Sequence, residues 1–127
     1  MKHRREVLSK AADILSARAA DFINAMQSEI GSTAGWAGFN VMLASQMLRE
    51  AAAMTTQVKG EIISSNKPGS LSMAVRKPAG VCLAMAPWNA PVILGVRAVA
   101  MPLAVGNTVV LKSSETCPMT HLLIAEC

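Results

Sequence analysis

The chain has 127 residues, of which 52% are hydrophobic and 3% aromatic, and it carries a formal net charge of +4. Its one basic cluster, Lys2-His3-Arg4-Arg5, has no interleaved aromatic residues and the chain has no Tyr, so the composition argues against a nucleic-acid-binding protein. The three cysteines, Cys82, Cys117 and Cys127, lack the spacing of metal ligands, and we expect reduced thiols in a cytoplasmic protein without a bound metal.

The first half of the chain has the apolar spacing of helices. Residues 5–30 are predicted to form two helices, or one helix bent near residues 17–20, and Gly31 follows as a cap. A second long helix is predicted over residues 37–57. It carries two apolar stripes, which indicate burial on two sides. One stripe contains Val41, Ala44, Leu48, Ala51 and Thr55, and the other contains Phe39, Leu43, Met47 and Met54.

A β-hairpin is predicted next. Residues 61–63 and 71–76 are strand-like, and the loop between them contains the turn residues Asn66, Pro68 and Gly69. Because an isolated hairpin is only marginally stable in water, this one is expected to pair with a partner.

The last third of the chain predicts a strand, a helix and a second strand. Residues 81–86 and 108–111 are short apolar runs typical of buried strands, residues 90–105 have a helical pattern, and a further helix begins at Pro118. Parallel strands need such a crossover between them. Residues 78–96 contain no charge, but the prolines within this stretch argue against a membrane span.

Polar residues follow the carboxyl end of each predicted strand, where ligands bind in open parallel sheets. The Asn89 amide could donate to a developing oxyanion, or it could cap the following helix. Lys112 and Glu115 could hold the ribose hydroxyls of a cofactor, or they could pair with each other on the surface. The spacing alone favours the cap and the ion pair, and no G-x-G-x-x-G motif follows the first strand. Gly106-Asn107 fits the turn between the helix and the second strand, where a positive φ is needed.

These motifs resemble the NAD(P)-dependent aldehyde dehydrogenase superfamily. The resemblance lies in Pro87-Trp88-Asn89, in the turn and strand of residues 106–112, and in Ser114-Glu115 with Pro118. TAGWAGFNV at residues 33–41 and APWNAPVILGVRA at residues 86–98 are most like the bacterial members that act on aromatic aldehydes, similar to salicylaldehyde and vanillin dehydrogenases. Members of the superfamily are several times as long, so the resemblance implies a fragment of the N-terminal half.

The fold implied is α/β: N-terminal helices, a β-hairpin, and the first strand-helix-strand unit of a truncated Rossmann-like parallel sheet. Residues 1–58 would belong to the helical part of a cofactor domain and residues 59–77 to an oligomerisation hairpin. Residues 78–127 would form the first part of the dinucleotide-binding sheet.

The resemblance implies oxidation of an aldehyde to its carboxylic acid with NAD, through a cysteine thiohemiacetal and thioester. Asn89 would stabilise the oxyanion. Lys112 and Glu115 would reach the adenosine ribose, with Ser114 adjacent. The carboxylate disfavours the 2′-phosphate of NADP. The cofactor cleft would be lined by Met85, Ala86, Pro87 and Trp88.

The nucleophilic cysteine and the glutamate base of the family lie downstream of residue 127, so the chain alone is expected to be inactive. Trp36, Leu94 and Arg97 are candidates for the wall of the aldehyde site, although a packing role for Trp36 and a surface role for Arg97 remain open. The full protein would be a homodimer or homotetramer, with no nucleic-acid or membrane partner. The alternatives are a non-catalytic oligomerisation or scaffold segment, and a CoA-acylating or phosphorylating aldehyde dehydrogenase.

Overall fold

The computed structural model describes residues 1–127 and has the α/β architecture that the sequence predicts. It contains five helices and four short strands. In chain order these are α1 (Lys2–Ala17), α2 (Ala19–Ile30), α3 (Ala34–Met54), β1 (Glu61–Ile63), β2 (Ser72–Ala74), β3 (Val81–Met85), α4 (Pro91–Ala104), β4 (Thr108–Lys112) and α5 (Pro118–Ala125). None of the helices combines the length and the hydrophobicity that crossing a membrane requires.

The break between α1 and α2 falls at Arg18, within the predicted range. The Arg18 guanidinium donates to Asp21 at 3.0 Å and to Glu126, the residue after α5, at 2.9 Å, so the residue at the break also contacts the end of the chain. Helix α2 ends at Gly31, whose φ of 63° is in the left-handed region and whose N–H donates to the Gln27 carbonyl. The predicted cap is confirmed, and glycine is the residue that adopts this conformation without strain.

Helix α3 starts and ends about one turn earlier than predicted. Its start is fixed by Thr33, whose hydroxyl accepts a hydrogen bond from the Trp36 backbone N–H at 3.2 Å. All five residues of the first predicted stripe are buried. The second stripe is buried only in part: Phe39 is exposed, its other members are half-buried, and Met47 packs against the core. The remaining buried positions of α3 are mostly small or polar: Ala37, Asn40, Ser45 and Ala52.

The hydrophobic core lies between α1, α2, α3 and α4. Its larger members are Leu8, Leu15, Phe22, Met26, Val41, Leu48, Val92 and Val96. Small residues, among them Ala12, Ala44 and Ala100, let the helices approach closely.

The predicted hairpin is confirmed and stands apart from this core. Strand β1 pairs antiparallel with β2, with Ile62 opposite Met73. Both side chains are exposed, as is Leu71 just before β2.

Strands β3 and β4 are parallel neighbours, as predicted, with Val81 opposite Thr108 and Met85 opposite Lys112. Gly106 has a φ of 98°, which confirms the predicted turn before β4. The Asn107 side chain accepts a hydrogen bond from Gly80 N–H at 3.0 Å and so joins the starts of the two strands.

The expectation that both strands are buried is wrong for one face of the sheet. Val81, Leu83, Met85 and Val110 are 74%, 67%, 68% and 57% exposed. Because side chains alternate between the two faces of a strand, α4 covers only the face that carries residues such as Ala84. The pair of strands therefore has one bare apolar face.

Candidate functional site

The loops after β3 and β4 lie at the same edge of the sheet. The parallel register pairs Met85 with Lys112, and the Ala86 N–H donates to the Lys112 carbonyl at 3.2 Å. The predicted meeting of the Asn89 and Lys112 loops is therefore confirmed. This edge is where ligands bind in open parallel sheets.

Asn89 is not the N-cap of α4. Pro91 occupies the first helical position, so Ala90 is the N-cap, and no side chain caps the helix there. The Asn89 side chain is exposed and hydrogen-bonds to no other residue. Its amide donors are thus free to face a ligand beside the positive end of the α4 dipole.

Helix α3 holds the Asn89 loop and the start of α4. The Trp36 indole Nε1 donates to the Asn89 carbonyl at 3.2 Å. One turn on, the buried Asn40 amide donates to the Trp36 carbonyl at 3.0 Å and accepts from the Ile93 N–H at 3.4 Å. Asn40 thus satisfies one N–H of the first turn of α4, which lacks a local cap. Sequence analysis did not single out Asn40. Its position was a signal, since a polar Asn directly before Val41 and the buried apolar stripe needs a hydrogen-bond partner.

The predicted substrate residues occupy two helices. Trp36 is partly exposed and stacks on Phe39, with ring centroids 5.5 Å apart and planes 20° from parallel. On α4, Leu94 is half-buried, and Arg97 is exposed without an ion-pair partner. The structure therefore brings Trp36 to the Asn89 loop, but Arg97 forms no hydrogen bond or ion pair with that loop.

The predicted cofactor residues after β3 differ in exposure. Met85, Pro87 and Trp88 are exposed, and their side chains are available to a ligand. Ala86 is buried and its N–H is taken by the bond to Lys112, so it belongs to the frame of the loop.

The end of β4 and the loop that follows it carry two charged side chains, Lys112 and Glu115, that form no ion pair. Lys112 Nζ donates only to the Ser113 carbonyl, at 3.3 Å, and does not pair with Glu115. Glu115 is exposed and has no ion-pair partner. The surface ion pair favoured by spacing is therefore absent. Between them, Ser114 is half-buried and donates its backbone N–H to Nδ1 of His121 at 3.1 Å.

His121, on α5, is a buried residue of this region that sequence reasoning missed. It is 2% exposed, and burial lowers its pKa, against a smaller raising effect of the Pro91 carbonyl. The neighbouring Cys117 is buried, with its Sγ 3.9 Å from His121 Nδ1, and burial raises the pKa of its thiol. The only local signal for His121 in the sequence was its position three residues after Pro118, at the start of a predicted helix.

Helix α5 is capped by a residue from α2. The Glu29 carboxylate accepts from Met119 N–H at 2.7 Å, from Thr120 N–H at 2.9 Å and from the Thr120 hydroxyl at 2.6 Å. Cys117, the local N-cap residue, makes no side-chain cap bond. The loop that contains Ser114 and Glu115 is thereby attached to the helical core through α5.

A sequence profile of the aldehyde dehydrogenase family matches residues 1–127 of this chain. Vanillin dehydrogenase from a Pseudomonas species is 65% identical over 123 residues, which are 97% of this chain and 25% of the relative. The chain thus spans about a quarter of the length of the curated relatives it matches.

Solved structures of aldehyde dehydrogenases are also similar to this chain. A salicylaldehyde dehydrogenase from Pseudomonas putida, complexed with salicylaldehyde, is 46% identical with a TM-score of 0.96, over 99% of this chain and 26% of that chain. An NAD-dependent benzaldehyde dehydrogenase from Corynebacterium glutamicum is 34% identical with a TM-score of 0.93, over 98% of this chain and 27% of that chain. The resemblance predicted from the motifs is confirmed.

Proposed function

Since the chain belongs to the aldehyde dehydrogenase family, we propose that it forms part of an oxidoreductase that converts an aromatic aldehyde to its carboxylic acid with NAD. The observation that carries the proposal is the free Asn89 amide at the start of α4, at the same sheet edge as the unpaired Lys112 and Glu115 side chains. An oxyanion donor beside ribose-binding groups is what oxidation of an aldehyde by a nucleotide cofactor requires.

Asn89 acts on the aldehyde oxygen in the proposed reaction. A cysteine thiolate adds to the carbonyl carbon, and the Asn89 amide donates a hydrogen bond to the oxygen that becomes negative. The N-terminal end of α4 contributes its positive dipole end. When bound, NAD would be the hydride acceptor. Hydrolysis of the cysteine thioester then releases the acid.

The nucleophile is expected outside this chain. Burial raises the pKa of the Cys117 and Cys127 thiols, which makes both poor thiolates. Cys82 lies within β3, away from the loop that contains Asn89. The general base is likewise expected from another part of the full protein.

Lys112, Ser114 and Glu115 are the residues proposed to hold the cofactor. Both charged side chains are free to bond to ribose hydroxyls. A carboxylate at this position repels a 2′-phosphate, which favours NAD over NADP. The NAD dependence of the Corynebacterium glutamicum relative supports the same choice. The exposed Met85, Pro87 and Trp88, with the Ala86 backbone, are proposed to line the cleft.

Trp36, Leu94 and Arg97 are proposed to bound the aldehyde site. The exposed stacked pair of Trp36 and Phe39 supports an aromatic substrate, because aromatic rings pack favourably against other aromatic rings. The names of the relatives, which act on vanillin, salicylaldehyde and benzaldehyde, point the same way.

The full protein is proposed to be a cytoplasmic homodimer or homotetramer that assembles through the hairpin. The exposed Ile62 and Met73 support this, since an apolar hairpin face gains stability when a second subunit covers it.

The experiment that tests the proposed function uses Asn89 variants of the complete protein that contains this chain. NADH formation is measured with vanillin, salicylaldehyde and benzaldehyde. Because Asn89 is not a cap, Asn89→Ala should fold normally and lose about 10²- to 10³-fold in kcat. Asn89→Asp should lose at least as much, because a carboxylate presents no donor to the oxyanion.

Asn66→Ala is the matched control, since Asn66 is an exposed Asn in the hairpin loop. It should keep wild-type kcat. If Asn89→Ala keeps nearly wild-type kcat while folded, the oxyanion role is wrong. Turnover by the 127-residue chain alone would show that one of its own cysteines is the nucleophile.

A further inference from the structure

The buried ring of His121 lies between α4 and the loop that contains Ser114, and the proposed reaction does not use it. Its Nδ1 accepts the Ser114 backbone N–H at 3.1 Å. Since Nδ1 accepts, the ring proton of the neutral form is assigned to Nε2. Lys112 and Glu115, the proposed ribose-binding residues, flank the Ser114 amide in the chain.

The other side of the ring faces α4. Nε2 is buried and forms no hydrogen bond of good geometry, and the Pro91 carbonyl in the first turn of α4 is the backbone group that raises the pKa of the ring, against the larger lowering effect of burial. Gly95, one turn further along α4, makes room for it. A Cβ at Gly95 would lie 3.3 Å from His121 Cδ2 and 2.6 Å from Ile124 Cδ1.

The surroundings keep the ring neutral and its Nδ1 lone pair available. Burial lowers the pKa of His121, and the nearest thiol, Cys117, has its pKa raised by burial and is also neutral. Glu29 is the charged group that acts on both side chains. Because its lone pair is bonded to Ser114 and its proton faces α4, the ring has no path for proton transfer to a ligand.

We propose that His121 is a positioning residue for the nucleotide cofactor. Its Nδ1 fixes the Ser114 amide against α4, and this sets the separation and direction of the Lys112 and Glu115 side chains that bind the ribose. The inference rests on the proposed function, since it names a residue that shapes the cofactor half of the same site. His121 itself does not touch the cofactor.

Two substitutions separate this role from plain packing. His121→Leu fills the space without an acceptor, whereas His121→Asn retains a side-chain oxygen near the position of Nδ1. NAD affinity is measured by calorimetry on the complete protein, and kcat and KM with an aromatic aldehyde. His121→Leu should raise Kd and KM for NAD about tenfold, with kcat and the aldehyde KM close to wild type. His121→Asn should restore NAD affinity to within about threefold of wild type.

Ile124→Val is the control on the same helix, since Ile124 packs beside Gly95 and its aliphatic side chain cannot hydrogen-bond to the Ser114 amide. It should change stability slightly and NAD affinity not at all. If His121→Leu does not fold, His121→Gln replaces it, because a Gln amide reaches the Nε2 position rather than that of Nδ1. The Gln variant should then bind NAD more weakly than the Asn variant.

The results separate the two proposals. Wild-type protein that neither binds NAD nor oxidises aldehydes overturns the proposed function, and the cofactor role of His121 with it. Wild-type protein that binds NAD, with a folded His121→Leu variant of equal affinity, overturns the His121 inference alone. A third result is that the Asn variant loses as much NAD affinity as the Leu or Gln variant, with an aldehyde KM that rises by a similar factor. That result would show that the ring only packs.

Discussion

Glu29 offers a direct test of the cap that α2 provides for α5. Glu29→Ala removes the acceptor of three hydrogen bonds, two from Thr120 and one from Met119. The two donors differ in what replaces the lost bond. Met119 is exposed, so water can bond to its N–H, whereas Thr120 is fully buried and its N–H and hydroxyl would be left without partners.

The expected free-energy cost of Glu29→Ala follows from the difference between the Met119 and Thr120 donors. A buried donor left unsatisfied costs about 1–3 kcal/mol, and Thr120 has two that share one environment, so we expect Glu29→Ala to cost about 2–4 kcal/mol locally. Glu29→Gln keeps one oxygen acceptor and loses the charge at the helix N-terminus, which should cost about 1 kcal/mol.

Hydrogen exchange of the α5 amides measures this cost as local opening. A loss of 2–4 kcal/mol corresponds to roughly 30- to 700-fold faster exchange in α5, at about 1.4 kcal/mol per factor of ten. Glu50→Ala is the control, because Glu50 is exposed on α3 and has no partner. If α5 exchanges at the same rate in Glu29→Ala and Glu50→Ala, the carboxylate does not support this helix and the reasoning fails.

Two further predictions concern the contact between α4 and α5. Gly95→Ala should cost about 1–3 kcal/mol by overpacking, since its Cβ would meet Ile124 Cδ1 at 2.6 Å, and adding Ile124→Ala should restore part of the melting temperature. Burial lowers the pKa of His121, so the native ring stays neutral while the unfolded chain takes up a proton below about pH 6.5. The contribution of the neutral ring to the free energy of unfolding is therefore fully present above that pH. It is lost as the pH falls from there towards the pKa of His121 in the folded chain. Melting temperatures between about pH 5 and pH 8 should show this slope, and His121→Asn should remove it, while Cys117 and Glu29 stay in place.

The parts of the fold that local chemistry decides were predictable from the sequence. Gly31 and Gly106 mark positions of positive φ, and both fall where the pattern put a helix end and a turn. The crossover between β3 and β4 followed from strand, helix and strand in that order, so the parallel pairing and the shared edge were predictable as well.

At Asn89 the sequence contained the signal for the correct helix start, but the preference of Asn for capping positions outweighed it. Spacing alone favoured Asn89 as the N-cap, because Asn is among the best capping residues. Pro91 is the stronger signal, since proline at the first helical position makes the preceding residue, Ala90, the cap. The amide is free for this reason.

Contacts between distant residues could not be predicted. Asn40 bonds to α4 from 53 positions away, and Glu29 caps α5 from about 90. Both helices begin with Pro after a residue that makes no side-chain cap, which indicates that a donor is unsatisfied but not which residue satisfies it. The exposed face of β3 and β4 was mispredicted for a related reason, because an apolar strand pattern does not reveal what covers the strand.

The bond from the Trp36 indole to the Asn89 carbonyl has an optical consequence. The chain has two tryptophans and no tyrosine, so Trp36 and Trp88 account for its ultraviolet emission, and both lie at the loop after β3. Trp36 is hydrogen-bonded to that loop and Trp88 is part of it, and both are about half exposed. Intrinsic fluorescence from this segment of the protein therefore originates beside Asn89, where any ligand of the loop would change the polarity that the two indoles experience.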